Sequence, residues 1–209
     1  MREIIIIGAG GHGVEMALLA RRCGRKVRGF LDNTNDKQGE TISQVPVLGK
    51  IETRNTYVDC DFLIAIGSPR GRERVIRDFF SGYEYQFATL IDPTAIIGEN
   101  VVIEEGSMIC AGSVLTINIT IGKHSIVNIN STLSHGVQLG SFVTIAPNVA
   151  IAGDVKIDDL VEIGLNASLK EKLVVARGAF VGMGAVLVKS VEENHVMVGN
   201  PAKFLKILD

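Results

Sequence analysis

From Ile91 onward every sixth residue is aliphatic: Ile91, Ile97, Ile103, Ile109, Leu115, Ile121, Val127, Leu133, Leu139, Ile145, Ile151, Ile157, Ile163, Leu169, Val175, Val181 and Leu187. These are 17 successive matches with no insertion. Four residues after each stands Ala, Val or Ser in 15 cases, with Ile119 and Leu173 as the exceptions. A sandwich strand would alternate with period two, with turn signals every roughly 8–12 residues. A period of six fits a parallel β-helix instead. Each unit makes one short flat strand and one bend, and three units close a triangular coil. The aliphatic points inward and stacks on its counterpart one coil later, and the small residue lets the chain bend. Gly98, Gly122, Gly140, Gly164 and Gly182, directly after an aliphatic, are expected where the turn needs tight backbone geometry. No single coil can bury its own apolar side, but a stack of them forms a continuous core. The composition agrees: 5% aromatic residues and no Trp suit thin, repetitive aliphatic layers.

The first 90 residues follow a different pattern. Ile4 to Ile7 is an apolar strand running into "GAGGHG", whose Gly8, Gly10 and Gly13 spell the G-x-G-x-x-G of a dinucleotide-binding turn. A helix is expected over Val14 to Cys23, with Val14, Ala17, Leu18 and Leu19 apolar at helical spacing and Gly24 as its stop. "KVRGFLDN" reads as a second strand and "DFLIAIGSP", Asp61 to Pro69, as a third entering another glycine turn. Arg70 to Phe80 reads as a second helix, with Val75, Ile76, Phe79 and Phe80 on its buried side. The order is β-α-β-β-α-β, with room for one mononucleotide half and not for a full dinucleotide domain. The fold expected is therefore α/β plus β: a small Rossmann-like domain over residues 1–90 and a parallel β-helix with a C-terminal tail over 91–209.

A half-size domain argues against NAD, yet the loop keeps the physics of an anion site. Backbone N–H groups at a helix N-terminus lie beside glycines that admit a phosphate. His12 adds a polar ring there, and Asp32 falls where a carboxylate commonly meets a ribose hydroxyl. The motif alone is also compatible with a loop that only connects strand to helix.

A net charge of −2 offers no basic surface for nucleic acid or an anionic membrane. No apolar run reaches the roughly 18 residues of a bilayer span, and the opening segment does not read as a secretion signal. Cys23, Cys60 and Cys110 are odd in number and scattered, which suits reduced thiols in the cytoplasm. Of the four histidines His12, His124, His135 and His195, the two inside the repeat are spaced by neither a unit nor a coil, which disfavours a three-histidine metal site. His135 stands third in its unit among Ser131, Thr132, Ser134 and Gly136, and Gly153 follows one coil later on the same face. A histidine base beside a glycine N–H suits acyl transfer. The first takes a proton from the nucleophile and the second holds the oxyanion. A lone histidine on such a rung can equally be an ordinary surface residue.

Taken together, "GAGGHG", "FLDN", "FLIAIGS", the unbroken hexads, "SH" followed by "IAPNVAIAG", and the closing "VGNPAKFLK" resemble one family along almost the whole chain. This is the bacterial sugar O/N-acyltransferases, which include sialic acid O-acetyltransferases and nucleotide-aminosugar N-acetyltransferases of surface glycan pathways. The hexads and G-N-P-A-K are common to all left-handed β-helix acyltransferases; the glycine–histidine loop joined to the rung histidine narrows the match. The resemblance implies a left-handed β-helix, a homotrimer and acetyl-CoA in the groove between adjacent prisms; no metal is expected, on the histidine spacing given above. It implies a UDP- or dTDP-linked sugar held by Gly10, Gly11, His12 and Gly13, by Asp32 and Asn33, and by Gly67 and Ser68. It assigns the base to His135, the oxyanion amide to Gly153 and an orienting role to Asn128. It runs the donor's pantetheine arm past Thr144, Gly164, Leu165 and Met183. Many members carry a carboxylate directly after the histidine, or a glutamate before it. Here those positions are Gly136 and Ser134, which leaves Ser134 to hold the ring's tautomer. A base without a carboxylate suits an amine better than a hydroxyl, so the expected reaction is N-acetylation of an amino-deoxysugar, a 4-amino-4,6-dideoxyhexose. O-acetylation of a sialic-acid-like sugar and a non-catalytic sugar-binding subunit are the alternatives.

Overall fold

The structure, a computed structural model, describes residues 1–82 and 84–208. The chain divides into two compact units, Met1–Leu90 and Ile91–Asp209. The first contains β1 (Ile4–Ile7), α1 (Gly11–Arg22), β2 (Val27–Leu31), β3 (Thr41–Ile42), β4 (Val45–Gly49), β5 (Asp61–Ile64) and α2 (Pro69–Phe79). The sheet order is β3-β4-β2-β1-β5, parallel except for the β3–β4 hairpin. All four isoleucines of β1 are fully buried, as a central parallel strand covered on both faces requires. Because β1 lies between β2 and β5, the carboxyl ends of β1 and β5 frame the crevice where open α/β sheets take ligands. The N-termini of α1 and α2 both begin at that edge of the sheet.

No sequence signal marks the hairpin, for a physical reason. Its two central residues, Ser43 and Gln44, have φ of 49° and 68°, a turn in which Asn-Gly is the usual signal. Helix α1 starts at Gly11 rather than Val14, because the glycine loop itself supplies the first turn, whose N–H groups need no helical acceptor. Of the apolar residues at helical spacing, Leu18 is exposed, while Met16 and Ala20 are buried with Ala17 and Leu19. Helix α2 opens one residue early on Pro69, with Ser68 as N-cap accepting from the Gly71 N–H at 3.3 Å.

The second unit is a triangular prism of two-residue strands in three parallel sheets. The first face carries strands ending at Ile109, Val127, Ile145, Ile163 and Val181; the second, those ending at Ile97, Leu115, Leu133, Ile151, Leu169 and Leu187; the third, those ending at Ile103, Ile121, Leu139, Ile157 and Val175. Pairing joins each strand to the one three units on, as in Leu115 with Leu133 and Ile145 with Ile163. The aliphatics from Ile109 to Leu187 form one continuous buried cluster. The small residues four places on also point inward. Where they are serines, the hydroxyl is satisfied by a carbonyl of the next coil, as in Ser131 donating to the Ala146 carbonyl at 2.9 Å.

The turn residue is not the glycine expected. The left-handed conformation falls three places after the aliphatic: at all fifteen such positions from Asn100 to Gly184, φ is positive. Asn and Gly dominate there because they tolerate that region best. The glycine directly after the aliphatic serves close approach instead. A Cβ on Gly164, for example, would lie 2.6 Å from the Met183 nitrogen of the next coil. Two antiparallel strands, His195–Val198 and Lys203–Ile207, continue the first face.

Candidate active site

His135 follows the second-face strand Thr132–Leu133 and sits at the corner leading to the third face. Its side chain is 65% exposed. One coil later Gly153 lies directly against the ring: a Cβ there would stand 2.3 Å from Cε1 and 2.4 Å from Nε2. The missing side chain is therefore what lets the imidazole pack over the next coil. The Gly153 carbonyl accepts from the Lys172 N–H at 2.9 Å, while its own N–H has no acceptor among the described residues. A ring with solvent access beside an uncommitted amide can take a proton and hold a developing oxyanion.

One expectation at this corner needs correction. Ser134 makes no side-chain hydrogen bond among the described residues, but the histidine is not without a carboxylate. Asp154 Oδ1 stands 3.8 Å from His135 Nδ1. The carboxylate comes from the next coil, not from a sequence neighbour. The inference from a missing carboxylate to an amine acceptor loses its premise.

Asn128, Gly164, Leu165 and Met183 belong to a different corner, between the first and second faces. Asn128 Oδ1 accepts from the Ile129 N–H at 3.0 Å. Leu165 and Met183 are exposed apolar side chains, 45% and 76% accessible. Thr144 is buried on the first face. Within one chain, a whole face of the prism separates these residues from His135 and Gly153. A groove of about 690 Å³ on the third face, lined by Gln138, Lys156, Asp159 and Arg177, includes none of the catalytic or ligand-binding residues expected from the sequence.

In the first unit the three glycines have distinct jobs. Gly8 adopts φ 99° to turn the chain, and a Cβ on Gly13 would lie 2.1 Å from the Gly8 carbonyl oxygen. Around Gly10 and Gly11 there is open space, which leaves the α1 N-terminus approachable by an anion. His12 lies in the first turn, with Nδ1 3.5 Å from Glu15. Its Nε2 is buried and has no hydrogen-bond partner among the described residues. Burial holds the ring below the ordinary histidine range, against the pull of Glu15 and with help from the positive charge of Arg72.

That arginine, missed in the sequence, is fully buried and donates from Nη1 to the Ile66 and Gly67 carbonyls at 2.7 and 2.8 Å. It lies three places after the proline that opens α2, and no local pattern marks it. Asp32 accepts from the Ala9 N–H at 2.7 Å, the Thr34 N–H at 2.8 Å and Lys37 Nζ at 2.9 Å. Burial would raise this carboxyl, but those donors outweigh it and hold it at about 2. Asp32 thus clamps the glycine loop to the end of β2. Asn33 Oδ1 accepts from the Ile51 N–H at 2.8 Å, and Gly67 and Ser68 form the exposed turn into α2.

A small parallel α/β unit with a phosphate-type loop, followed by a hexapeptide prism bearing a histidine on a glycine, defines a class: β-helix acyltransferases with a nucleotide-binding N-terminal domain. Residues 3–79 match the family model described as the PglD N-terminal domain. UDP-N-acetylbacillosamine N-acetyltransferase of Bacillus subtilis (strain 168) is 32% identical over 114 residues, 53% of this chain and 52% of the relative. The chain thus matches about half the length of that curated relative. A mutant of perosamine N-acetyltransferase from Caulobacter crescentus, in complex with CoA and GDP-perosamine, superposes with a TM-score of 0.91 at 25% identity, covering 98% of this chain and 97% of the other. WeeI from Acinetobacter baumannii AYE superposes at 0.84 with 31% identity over 98% and 100% of the two chains. The chain belongs to the bacterial sugar O/N-acyltransferases, with their left-handed β-helix. No helix among the described residues is long and apolar enough to cross a membrane.

Proposed function

We propose that this chain transfers the acetyl group of acetyl-CoA to the amine of a nucleotide-linked amino-deoxysugar, a 4-amino-4,6-dideoxyhexose. The carrying observation is the His135 ring packed on Gly153 with the glycine N–H uncommitted. His135 takes the proton the amine sheds as its nitrogen bonds to the thioester carbonyl carbon. The Gly153 N–H holds the oxyanion. As the carbon–sulfur bond breaks, His135 returns the proton to the departing thiolate, leaving an amide and a free thiol. No acyl-enzyme is needed, since among the described residues no cysteine stands at this corner and the Ser134 hydroxyl has no base bonded to it.

The first unit takes the nucleotide diphosphate at the N–H groups of Gly10, Gly11, His12 and Gly13, with the Asp32–Asn33 and Gly67–Ser68 turns flanking it. Free cysteines and a CoA donor suit the cytoplasm. The two prism corners carry complementary sets: base and oxyanion donor on one, exposed Leu165 and Met183 for the pantetheine arm, with Asn128, on the other. One donor can use both only if a second copy brings its own corner alongside, which supports a cyclic trimer with shared sites.

The amine acceptor is supported by the relatives, named as N-acetyltransferases of UDP- and GDP-linked amino sugars. The test is thiol release from acetyl-CoA across a panel of UDP-, dTDP- and GDP-linked 4-amino sugars, with free sialic acid as the hydroxyl control. Turnover with an amino sugar is expected. Turnover confined to sialic acid would transfer the site to O-acetylation, and a protein that binds a nucleotide sugar without turnover would be a non-catalytic subunit.

A further inference from the structure

We infer that Asp154 is the positioning residue that orients the His135 ring, standing in from the next coil for the carboxylate that the residue after the histidine does not supply. This rests on the reading of His135 as the base. Three features place Asp154 in that role. Its Oδ1 lies 3.8 Å from His135 Nδ1. It occupies the space above Gly136: a Cβ on that glycine would stand 2.2 Å from Asp154 Oδ1. The Asp154 N–H bonds the His135 carbonyl at 2.9 Å, so the backbone carrying the carboxylate is tied to the histidine it serves.

The alternative of a purely structural ion pair is weak. Both side chains are more than half exposed, and exposed pairs contribute little to stability. Among the described residues Asp154 pairs with no lysine or arginine, although Lys172 follows it one coil on. At 3.8 Å the contact is longer than a direct hydrogen bond. Catalytic hydrogen bonds are commonly long before substrate arrives and tighten in the complex. A rotation of the exposed imidazole or one bridging water closes the gap. With Nδ1–H donated toward Asp154, Nε2 carries the lone pair and faces the amine, and the carboxylate stabilises the imidazolium that forms.

The coil geometry provides a clean test. Asp154 and Gly136 hold equivalent left-handed positions, φ 59° and 71°, and Asn occupies five of the fifteen such positions. Asp154→Asn therefore suits the backbone and removes only the charge. Its kcat is expected to fall roughly 10- to 100-fold, with both KM values and the melting temperature nearly unchanged. Asp154→Gly should fall similarly and respond to added formate, which leaves wild type and His135→Ala unaffected. The double variant Gly136→Asp/Asp154→Gly moves the carboxylate next to the histidine in sequence and should recover most of the lost kcat. Wild-type turnover in Asp154→Asn overturns the inference, as does a loss that neither formate nor the double variant restores. His135→Ala separates the two readings: full activity there would remove the base itself, whereas an inactive His135→Ala beside an active Asp154→Asn would remove only Asp154.

Discussion

The sharpest test of the corner is Gly153→Ala. The added methyl would lie 2.3 Å from His135 Cε1 and 2.4 Å from Nε2, where van der Waals contact begins near roughly 3.4 Å. The ring must retreat by about 1 Å, and it can, because its side chain is 65% exposed. Gly153 is not in the left-handed region, so alanine strains no backbone there, and the fold should hold to within about 1 kcal/mol. A base misplaced by about 1 Å costs on the order of 100-fold, or about 2.7 kcal/mol of transition-state stabilisation. Continuous thiol release should therefore show kcat falling about 100-fold, with the KM for acetyl-CoA and the urea midpoint close to wild type. A Gly153→Ala enzyme within threefold of wild-type kcat would refute the idea that catalysis depends on where this ring sits.

Asp32→Asn should cost the first unit about 2 kcal/mol at neutral pH, since its carboxyl is held at about 2 against an ordinary 3.8. The wild-type advantage is present above the ordinary value and should vanish as pH falls through about 4 toward 2, measured by urea unfolding of both proteins across that range. Ile163→Ala empties a fully buried site in the prism and should lower stability by about 2–5 kcal/mol, read from the calorimetric unfolding transition. Gly13→Ala puts a methyl against the Gly8 carbonyl; expect about 1–3 kcal/mol of destabilisation and weaker nucleotide-sugar binding by calorimetry, with acetyl-CoA binding retained.

The prism was legible because its physics is one-dimensional. Each inward aliphatic meets its partners within its own coil and its counterparts one coil above and below, so a register of six survives in the sequence undiluted by contacts from farther along the chain. What the register could not show was which residue makes the bend. Gly98, Gly122, Gly140, Gly164 and Gly182 stand out by composition, yet the left-handed residue lies two places further on, where Asn, Asp, Lys, His, Phe and Leu all occur. In the first unit the glycine loop was legible, while the β3–β4 hairpin was not, because Ser43 and Gln44 make a turn usually marked by Asn-Gly.

At the site, one coil up from His135 stands Gly153, whereas the supporting carboxylate is not beside the histidine in sequence. The same count applied to Gly136 arrives at Asp154. In a parallel β-helix the nearest neighbours of a corner residue are one coil away, so a family position emptied by glycine can be refilled by its counterpart on the next rung. Gly136 and Asp154 are such an exchange: the glycine makes the room, and the aspartate uses it. Arg72 had no such route to discovery, because its burial against the Ile66 and Gly67 carbonyls follows from the turn into α2 and from no spacing in the chain. Substitutions at prism corners are therefore best read in coil pairs, since the side chain removed at one position decides what its partner can reach.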